Sequence, residues 1–307
     1  MAYNLQLIMY YYSFSEYLKN KFGAKIRKLS LNAGFTCPHK EADGSGGCIF
    51  CNEYGFAREK RPRPLKDQIE KQIEEFKRKN ADYKFIAYFQ NATNTNASVE
   101  GLKKTYDIIR DYPDIVSLSI STRPDCVDEE KLDLIASYKD DYDVWIEYGV
   151  QTANEATLKY IKRGHTHLQT IEAIDQTHER GIKVGAHVIV GLPGETRRDM
   201  IKTAREISSL PVSGVKLHIF HVLKDAPVED LYYIGKIDVL SQEEYVQLAC
   251  DFLENTRSDI VILRLVSDSR EEYLVAPKWI NAKAVVLYAI QTELQKRASR
   301  QGIKVSV

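Results

Sequence analysis

Residues 184–211 open with Val184-Gly185-Ala186-His187-Val188-Ile189-Val190, continue with Gly191-Leu192-Pro193-Gly194-Glu195, and run from Thr196 to Pro211. The first seven residues are a short, largely apolar and β-branched run, the pattern of a buried strand. Gly191 and Gly194 fit a tight turn that brings backbone close to a ligand. Thr196 and Asp199 resemble a capping box. Met200, Ile201, Ala204 and Ile207 then recur at helical spacing, and Pro211 closes the helix. The stretch therefore reads as one strand–turn–helix unit.

The same unit recurs on both sides of it. Strand-like runs occur at Ile26–Leu31, Phe85–Phe89, Val116–Ile120, Val144–Tyr148 and Val215–Phe220. Helical patterns lie between them. Pro64 starts one, with Leu65, Ile69, Ile73 and Phe76 on one face, and the others span Val99–Arg110, Glu129–Tyr138 and Leu168–Arg180. Gly181 stops the last of these. About six such repeats with short connections predict a parallel sheet covered by helices. Parallel strands carry their chemistry at their C-terminal ends, whether the sheet is open or closed into a barrel. Polar residues fall there: Cys37, Gln90, Arg123, Glu147, Gln151, Glu195, His218 and His221. Residues 1–240 form this core with a short N-terminal extension. Residues 241–307, with a helix, a strand at Ile260–Val266 and a helix at Asn281–Arg300, read as a C-terminal α/β appendage packed on it.

Composition narrows the classes. The 307 residues allow one large domain or two smaller ones. Forty-three basic residues balance 43 acidic ones, so bulk charge gives no sign of nucleic-acid binding. The run Arg58–Lys79 is rich in Lys and Arg, and a solvated helix face explains most of it. No run reaches the length of a membrane-spanning helix, and the aromatic segment Met1–Phe14 lacks the charged start of a signal peptide. That segment reads as partly disordered. Five cysteines, three of them clustered, do not make a disulfide framework and fit a reducing cytoplasm.

Cys37, Cys48 and Cys51 read C-x10-C-x2-C in the loop after the first strand. Three readings follow from the loop. Structural zinc would use His39 as fourth ligand. A fully capped cluster would need Cys126 or Cys250, both in other elements. A four-iron cluster would leave one iron open to a ligand. The loop alone does not separate the first from the third. Cys126 and Cys250 read more simply as buried small hydrophobes.

The rest of the chain carries landmarks: Gly34-Phe35-Thr36-Cys37-Pro38, Gly46-Gly47-Cys48-Ile49-Phe50-Cys51, Ala87-Tyr88-Phe89-Gln90 with Thr93-Asn94-Thr95, Ser121-Thr122-Arg123-Pro124-Asp125-Cys126, Gly149-Val150-Gln151-Thr152, Arg163-Gly164-His165, Gly191-Leu192-Pro193, and Lys216-Leu217-His218 with His221-Val222-Leu223-Lys224. In these the chain resembles radical S-adenosylmethionine (SAM) enzymes, most closely the YhcC/YtqA-type members, from about Phe14 to about Leu294. It departs from the superfamily's usual C-x3-C-x2-C, with a longer spacing typical of this subgroup. Gln90–Thr95 stands where a Gly-Gly-Glu is usual, and Ser267-Asp268-Ser269 replaces a more Gly-rich turn.

The resemblance implies a partial (β/α)6 TIM-like barrel, a [4Fe-4S] cluster on Cys37, Cys48 and Cys51, and SAM chelating the fourth iron. One-electron reduction would cleave SAM and give a 5′-deoxyadenosyl radical. Phe50 would pack near the adenine, and Arg163 would bind the SAM carboxylate. Glu147 and Gln151 would reach the ribose or amino group, and Gln90 fills the place of the usual amino-group binder. His187, Gly191 and Leu192 would line the adenine edge, with His187 more simply a core histidine. Arg123 joins the cofactor-binding candidates, its plainer role being a salt bridge to Asp125. Lys216, His218, His221 and Lys224 form a basic group where substrate would sit, suited to a phosphate or carboxylate; a buried Lys216 would otherwise need Glu147 or Glu195 as partner. The implied partners are a low-potential donor such as flavodoxin or ferredoxin, and tRNA. Relatives that include the elongator catalytic subunit point to the wobble uridine side chain, and YtqA-type proteins are linked to a carboxymethylaminomethyl uridine. The alternatives are a radical SAM enzyme acting on a small metabolite or protein, and a zinc-stabilised, non-enzymatic binding protein on a β/α barrel.

Overall fold

A computed structural model describes residues 10–41, 46–52, 62–78 and 82–305. Met1–Met9, the centre of the cysteine loop and both ends of the Arg58–Lys79 run lie outside the described residues. The chain opens with α1 (Phe14–Phe22) and β1 (Lys25–Leu31). It continues through α2 (Leu65–Lys77), β2 (Tyr83–Phe89), α3 (Val99–Tyr106), β3 (Ile115–Thr122), α4 (Glu129–Ala136) and β4 (Asp143–Gln151). Then come α5 (Glu155–Tyr160), α6 (His167–Glu179), β5 (Lys183–Val190), α7 (Arg197–Ser209), β6 (Gly214–Ile219), β7 (Val222–Leu223) and α8 (Val228–Tyr233). The last elements are α9 (Gln242–Glu254), β8 (Val261–Arg264), β9 (Leu274–Ala276) and α10 (Lys283–Lys296).

Seven strands form one all-parallel sheet in the order β1-β2-β3-β4-β5-β6-β8. The sheet is a partial barrel. The run Ile260–Val266 contains its seventh strand, joined to β6, so this part of the C-terminal segment is continuous with the core sheet. The capping boxes expected at Thr196 and found at Thr166 and Ser241 fix the starts of α7, α6 and α9.

Strand alternation sends two sets of side chains to two faces. Outward go Leu29, Leu31, Phe85, Ala87, Leu118, Ile120, Val144, Ile146, Val184, Val188, Val215 and Leu217, all in the main core under the helices. Inward go Lys28, Tyr88, Ser119, Glu147, His187 and Lys216, whose side chains meet across the lumen. The sheet therefore wraps a polar interior.

The N-terminal end of that interior is closed by α1, an element the sequence reading did not place. Ser13 caps α1 through the Glu16 amide, and Gly23, with φ 61°, ends it. Phe14 and Tyr17 pack on Trp145 at ring-centroid distances of 6.1 and 5.5 Å, both edge-on. Such pairs add roughly 0.5–1.5 kcal/mol each beyond area burial. Buried Asp143 ties the floor together: it accepts from Tyr17 Oη (2.9 Å) and Trp145 Nε1 (2.8 Å) and pairs with Lys183 (2.7 Å) and Lys21 (3.0 Å). Burial raises its carboxyl, but the bonds from Lys183 and Trp145 win and hold it below the usual range. No helix among the described residues is long and apolar enough to cross a membrane.

Candidate active site

The cysteine loop sits at the C-terminal mouth of the sheet and is pinned at several points. The Lys40 amide donates to the Cys37 carbonyl and the Cys51 amide to the Cys48 carbonyl, both at 3.0 Å, so each end of the motif is a tight turn. Lys40 pairs with Gly46 in an isolated antiparallel bridge, which folds the ten-residue spacer back on itself. Gly46 and Gly47 both take φ 76°, and a Cβ on Gly46 would stand 2.9 Å from the His39 carbonyl oxygen. The Ile49 amide donates to the Ile161 carbonyl (3.0 Å) and the Ile49 carbonyl accepts from Val228 (2.9 Å). Phe50 packs on an apolar group that includes Ile49, Ile189 and Leu192, at the end of β5.

The three thiols act on one another electrostatically, and cations surround them. Burial pushes the Cys51 thiol up to about 11; Cys48 and Cys37 add to the rise, while Lys40 and Arg163 oppose it. Arg163 is buried. Its Nε and Nη2 donate to the Gly149 carbonyl (3.1 and 2.8 Å), and its Nη1 lies 3.6 Å from Cys48 Sγ. The guanidinium expected at the SAM carboxylate thus bridges the end of β4 to a cysteine. The guanidinium lies directly against the strand, so a Cβ on Gly149 would meet Arg163 Nη2 at 2.5 Å and displace it. Arg123, 2% exposed, forms a two-pronged pair with Asp125 at 2.9 and 2.8 Å. Its Nη1 is buried without a hydrogen-bond partner, and the thiols of Cys37 and Cys48 act on its charge.

His39, the fourth ligand of the zinc reading, turns elsewhere. Its Nε2 lies 3.4 Å from Asp125 Oδ2, and its ring rests on Gly164, where a Cβ would come within 1.8 Å. Among the described residues no three His, Cys, Asp or Glu side chains stand close enough to hold a single metal ion. A lone Zn²⁺ would draw its thiolates to about 2.3 Å. By its chemistry, an all-sulfur donor set with the charges of Lys40, Arg123 and Arg163 acting on it suits an anionic iron–sulfur cluster. Cys37, Cys48 and Cys51 are the residues that would hold it. Cys126 contacts Asp125 instead, and Cys250 is fully buried in the core.

Below the mouth lies the polar lumen, centred on Glu147. Its Oε2 accepts from His187 Nε2 (2.6 Å), Tyr88 Oη (3.0 Å) and Lys216 Nζ (3.0 Å), and its Oε1 from Ser119 Oγ (2.8 Å). Burial pushes its carboxyl up, but Lys216, Lys28 and His187 outweigh that and hold it well below the usual range. Lys216 also donates to Tyr88 Oη at 2.6 Å. Burial lowers Lys216 to about 7, against the pull of Glu147. Burial and Lys216 lower His187 to about 4, so it is neutral near pH 7 and donates Nε2–H to the carboxylate. His218 stacks on His187 at 5.1 Å and accepts from Arg264 Nη2 at 2.8 Å; burial and Arg264 hold it well below its usual value.

The residues expected at the site therefore divide. Gln151 ends β4 in the left-handed region, φ 70°, next to a register shift, a strained placement typical of functional positions. Gly191 takes φ 85° against Leu240, and Leu192 is buried beneath it. Gln90 is exposed after β2. Glu147 and His187 lie deeper, in the lumen with Lys216 and His218. His221 donates Nδ1–H to the Ile219 carbonyl (2.8 Å) and lies near enough to His218 and Arg264 for their charges to interact, while Lys224 is exposed beyond β7, so Lys224 alone stands apart from the basic group. The partner of Lys216 is Glu147; Glu195 instead accepts from Thr152. Sequence reasoning passed over Lys28, Ser119 and Arg264. Alternation was their signal: Ser117, Ser119 and Ser121 recur every second residue on β3.

Comparison with known proteins agrees with this architecture. The family model described as the radical SAM superfamily matches residues 34–207, and that of the radical SAM C-terminal domain matches 212–296. The chain is 38% identical to YtqA of Bacillus subtilis over 296 residues, covering 95% of this chain and 92% of that protein. A tRNA uridine(34) acetyltransferase of Methanocaldococcus jannaschii is 29% identical over 136 residues, 43% of this chain and 25% of that one. Among solved structures, the N-terminally deleted Elp3 of Methanocaldococcus infernus superposes with a TM-score of 0.69 at 17% identity, over 91% of this chain and 64% of that one.

Proposed function

This chain belongs to the radical SAM superfamily, and we propose that it uses a [4Fe-4S] cluster on Cys37, Cys48 and Cys51 to cleave SAM reductively at the mouth of the half-barrel. The carrying observation is the three-thiol loop pinned over a parallel sheet whose inner face is polar. When bound, cluster and SAM supply one electron and a 5′-deoxyadenosyl radical able to take hydrogen from an unreactive carbon.

The chain's own residues position and shield. Arg163 ties Cys48 to the end of β4 and neutralises thiolate charge. Phe50, Ile189 and Leu192 offer an apolar wall for the adenine beside the Gly191 turn. Gln90, Gln151 and Arg123 ring the same mouth as candidates for the polar groups of SAM. The floor of Phe14, Tyr17 and Trp145 excludes water from below. Glu147, Tyr88, His187 and Lys216 form a fixed network facing the substrate chamber.

The substrate we favour is the side chain of a tRNA wobble uridine, on the likeness to the uridine(34) acetyltransferase and the shared fold of Elp3. A flavodoxin or ferredoxin would supply electrons, and free thiols suit the cytoplasm. Anaerobic reconstitution tests the chemistry: four irons per chain, a brown colour, and methionine with 5′-deoxyadenosine after reduction are expected. Colourless protein with stoichiometric zinc would overturn it. Nucleoside profiling of tRNA from a deletion strain tests the substrate; an unchanged profile removes tRNA.

A further inference from the structure

The lumen holds more positive charge than its one carboxylate can meet. Beyond the effect of burial, Lys28 of β1 and Arg264 of β8 both act to lower Lys216 of β6, and Arg264 and Lys283 at the start of α10 act on Lys28 in the same direction. Glu147 acts on both lysines, yet its two oxygens already take four donors. Lys28 sits between the rings of Phe14 (4.7 Å) and Tyr88 (4.8 Å), and no hydrogen-bond acceptor meets its ammonium among the described residues. Arg264 spends Nη2 on His218, and its Nε is buried without a partner. Lys28 and His218 are crowded on nearly every side yet keep accessible surface, as groups lining a lumen do.

Like charges brought together under burial are costly without an anion between them. β1 and β8 are the two edges of the sheet, so these cations are brought together from its opposite edges. We propose that Lys28 and Arg264, with Lys216 behind them, recognise an anionic oxygen group of the substrate, a carboxylate or a phosphate monoester. Glu147 is the internal counter-ion that holds Lys216 in place when the chamber is empty. The proposal rests on the lumen being the substrate chamber of the activity proposed above. It moves anion recognition from Lys224, exposed beyond β7, to two residues on opposite edges of the sheet.

The test uses the anaerobically reconstituted protein and three small probes: acetate, inorganic phosphate and neutral acetamide. Calorimetry and tryptophan fluorescence, with Trp145 in the lumen floor, read binding. Acetate or phosphate is expected to bind and acetamide not to, and the tighter anion assigns the group. Lys28→Met and Arg264→Gln should each weaken the anion at least tenfold, and Arg264→Lys should recover part of the loss. Anion binding that survives Cys37→Ala separates this site from cluster chemistry, so either reading can fail alone. Should one variant not fold, the other decides with Arg264→Lys. Equal binding of acetamide, or wild-type anion affinity in the folded variants, overturns the proposal. So does a parallel loss of SAM affinity, which would assign the cations to the cofactor.

Discussion

The outward face of the sheet carries Phe85, Leu118, Ile146, Val188 and Leu217 beneath helices, while the inward face of the same strands carries Lys28, Tyr88, Ser119, Glu147, His187 and Lys216. One strand serves both, one residue apart. On β4, Ile146 is pure core and Glu147 is the hub of a charged network. The outer face is held by area and packing, which tolerate exchange of one apolar group for another of similar volume. The inner face is held by specific donors and charges, each of which leaves a partner stranded if removed. Stability is therefore concentrated outside the barrel and chemistry inside it.

The largest effects should separate the two faces fully. Cys37→Ala, Cys48→Ala and Cys51→Ala are each expected to lose most of the iron and all SAM cleavage while melting close to wild type. Cys126→Ala and Cys250→Ala should keep both iron and activity. A full complement of iron in any of the first three would break the assignment. Next in size, Phe85→Ala on the outer face should cost about 3–5 kcal/mol in denaturant unfolding. Ser119→Ala, which removes one donor from Glu147, should cost about 1 kcal/mol. Equal costs would show that the inner network carries as much stability as the core.

Acid should find the inner face first. His187 is lowered from 6.5 to about 4, so the folded protein binds fewer protons there than the unfolded chain. Stability is then lost as pH falls from about 6.5 to about 4, and the loss saturates below that. The shift corresponds to roughly 3 kcal/mol at most. Glu147, with a depressed carboxyl, adds a loss below its ordinary range in the same direction. His187→Asn should flatten the slope of unfolding free energy between pH 6.5 and 4; an unchanged slope would place the titrating group elsewhere. The smallest effect expected is at the mouth: Phe50→Ala should weaken SAM binding about tenfold with iron content intact, measured by equilibrium binding.

The outer face was legible because short apolar, β-branched runs alternating with helical repeats leave few other folds. The run Val184–Val190 with its capped helix carried that pattern openly, and the family landmarks carried the cysteine loop. The inner face was half hidden. Lys216 and His218 stood out as a basic pair in a strand, but Lys28, inside the strand-like run Ile26–Leu31, was given no role. What buries it is α1, an element the sequence reading did not place. Arg264 was read as part of an appendage, because its strand joins the sheet across more than 40 intervening residues. Arg163-Gly164-His165 also gives no hint that the guanidinium contacts the Gly149 carbonyl and Cys48.

The floor of the barrel sets an order of assembly. The Ile262 amide donates to the Tyr12 carbonyl, Ser13 pairs with Ile262, and the Tyr12 amide donates to Gln301, 289 residues away. Gly23 then leads α1 directly into β1 at the opposite edge. A dozen residues, Tyr12 to Gly23, thus latch both edges of the sheet, and the latch has no partner until β8 has been synthesised. Contacts of such long sequence separation form late, since loop closure must precede them. Lys28 and Tyr88 should therefore leave water late, when the segment before β1 meets β8.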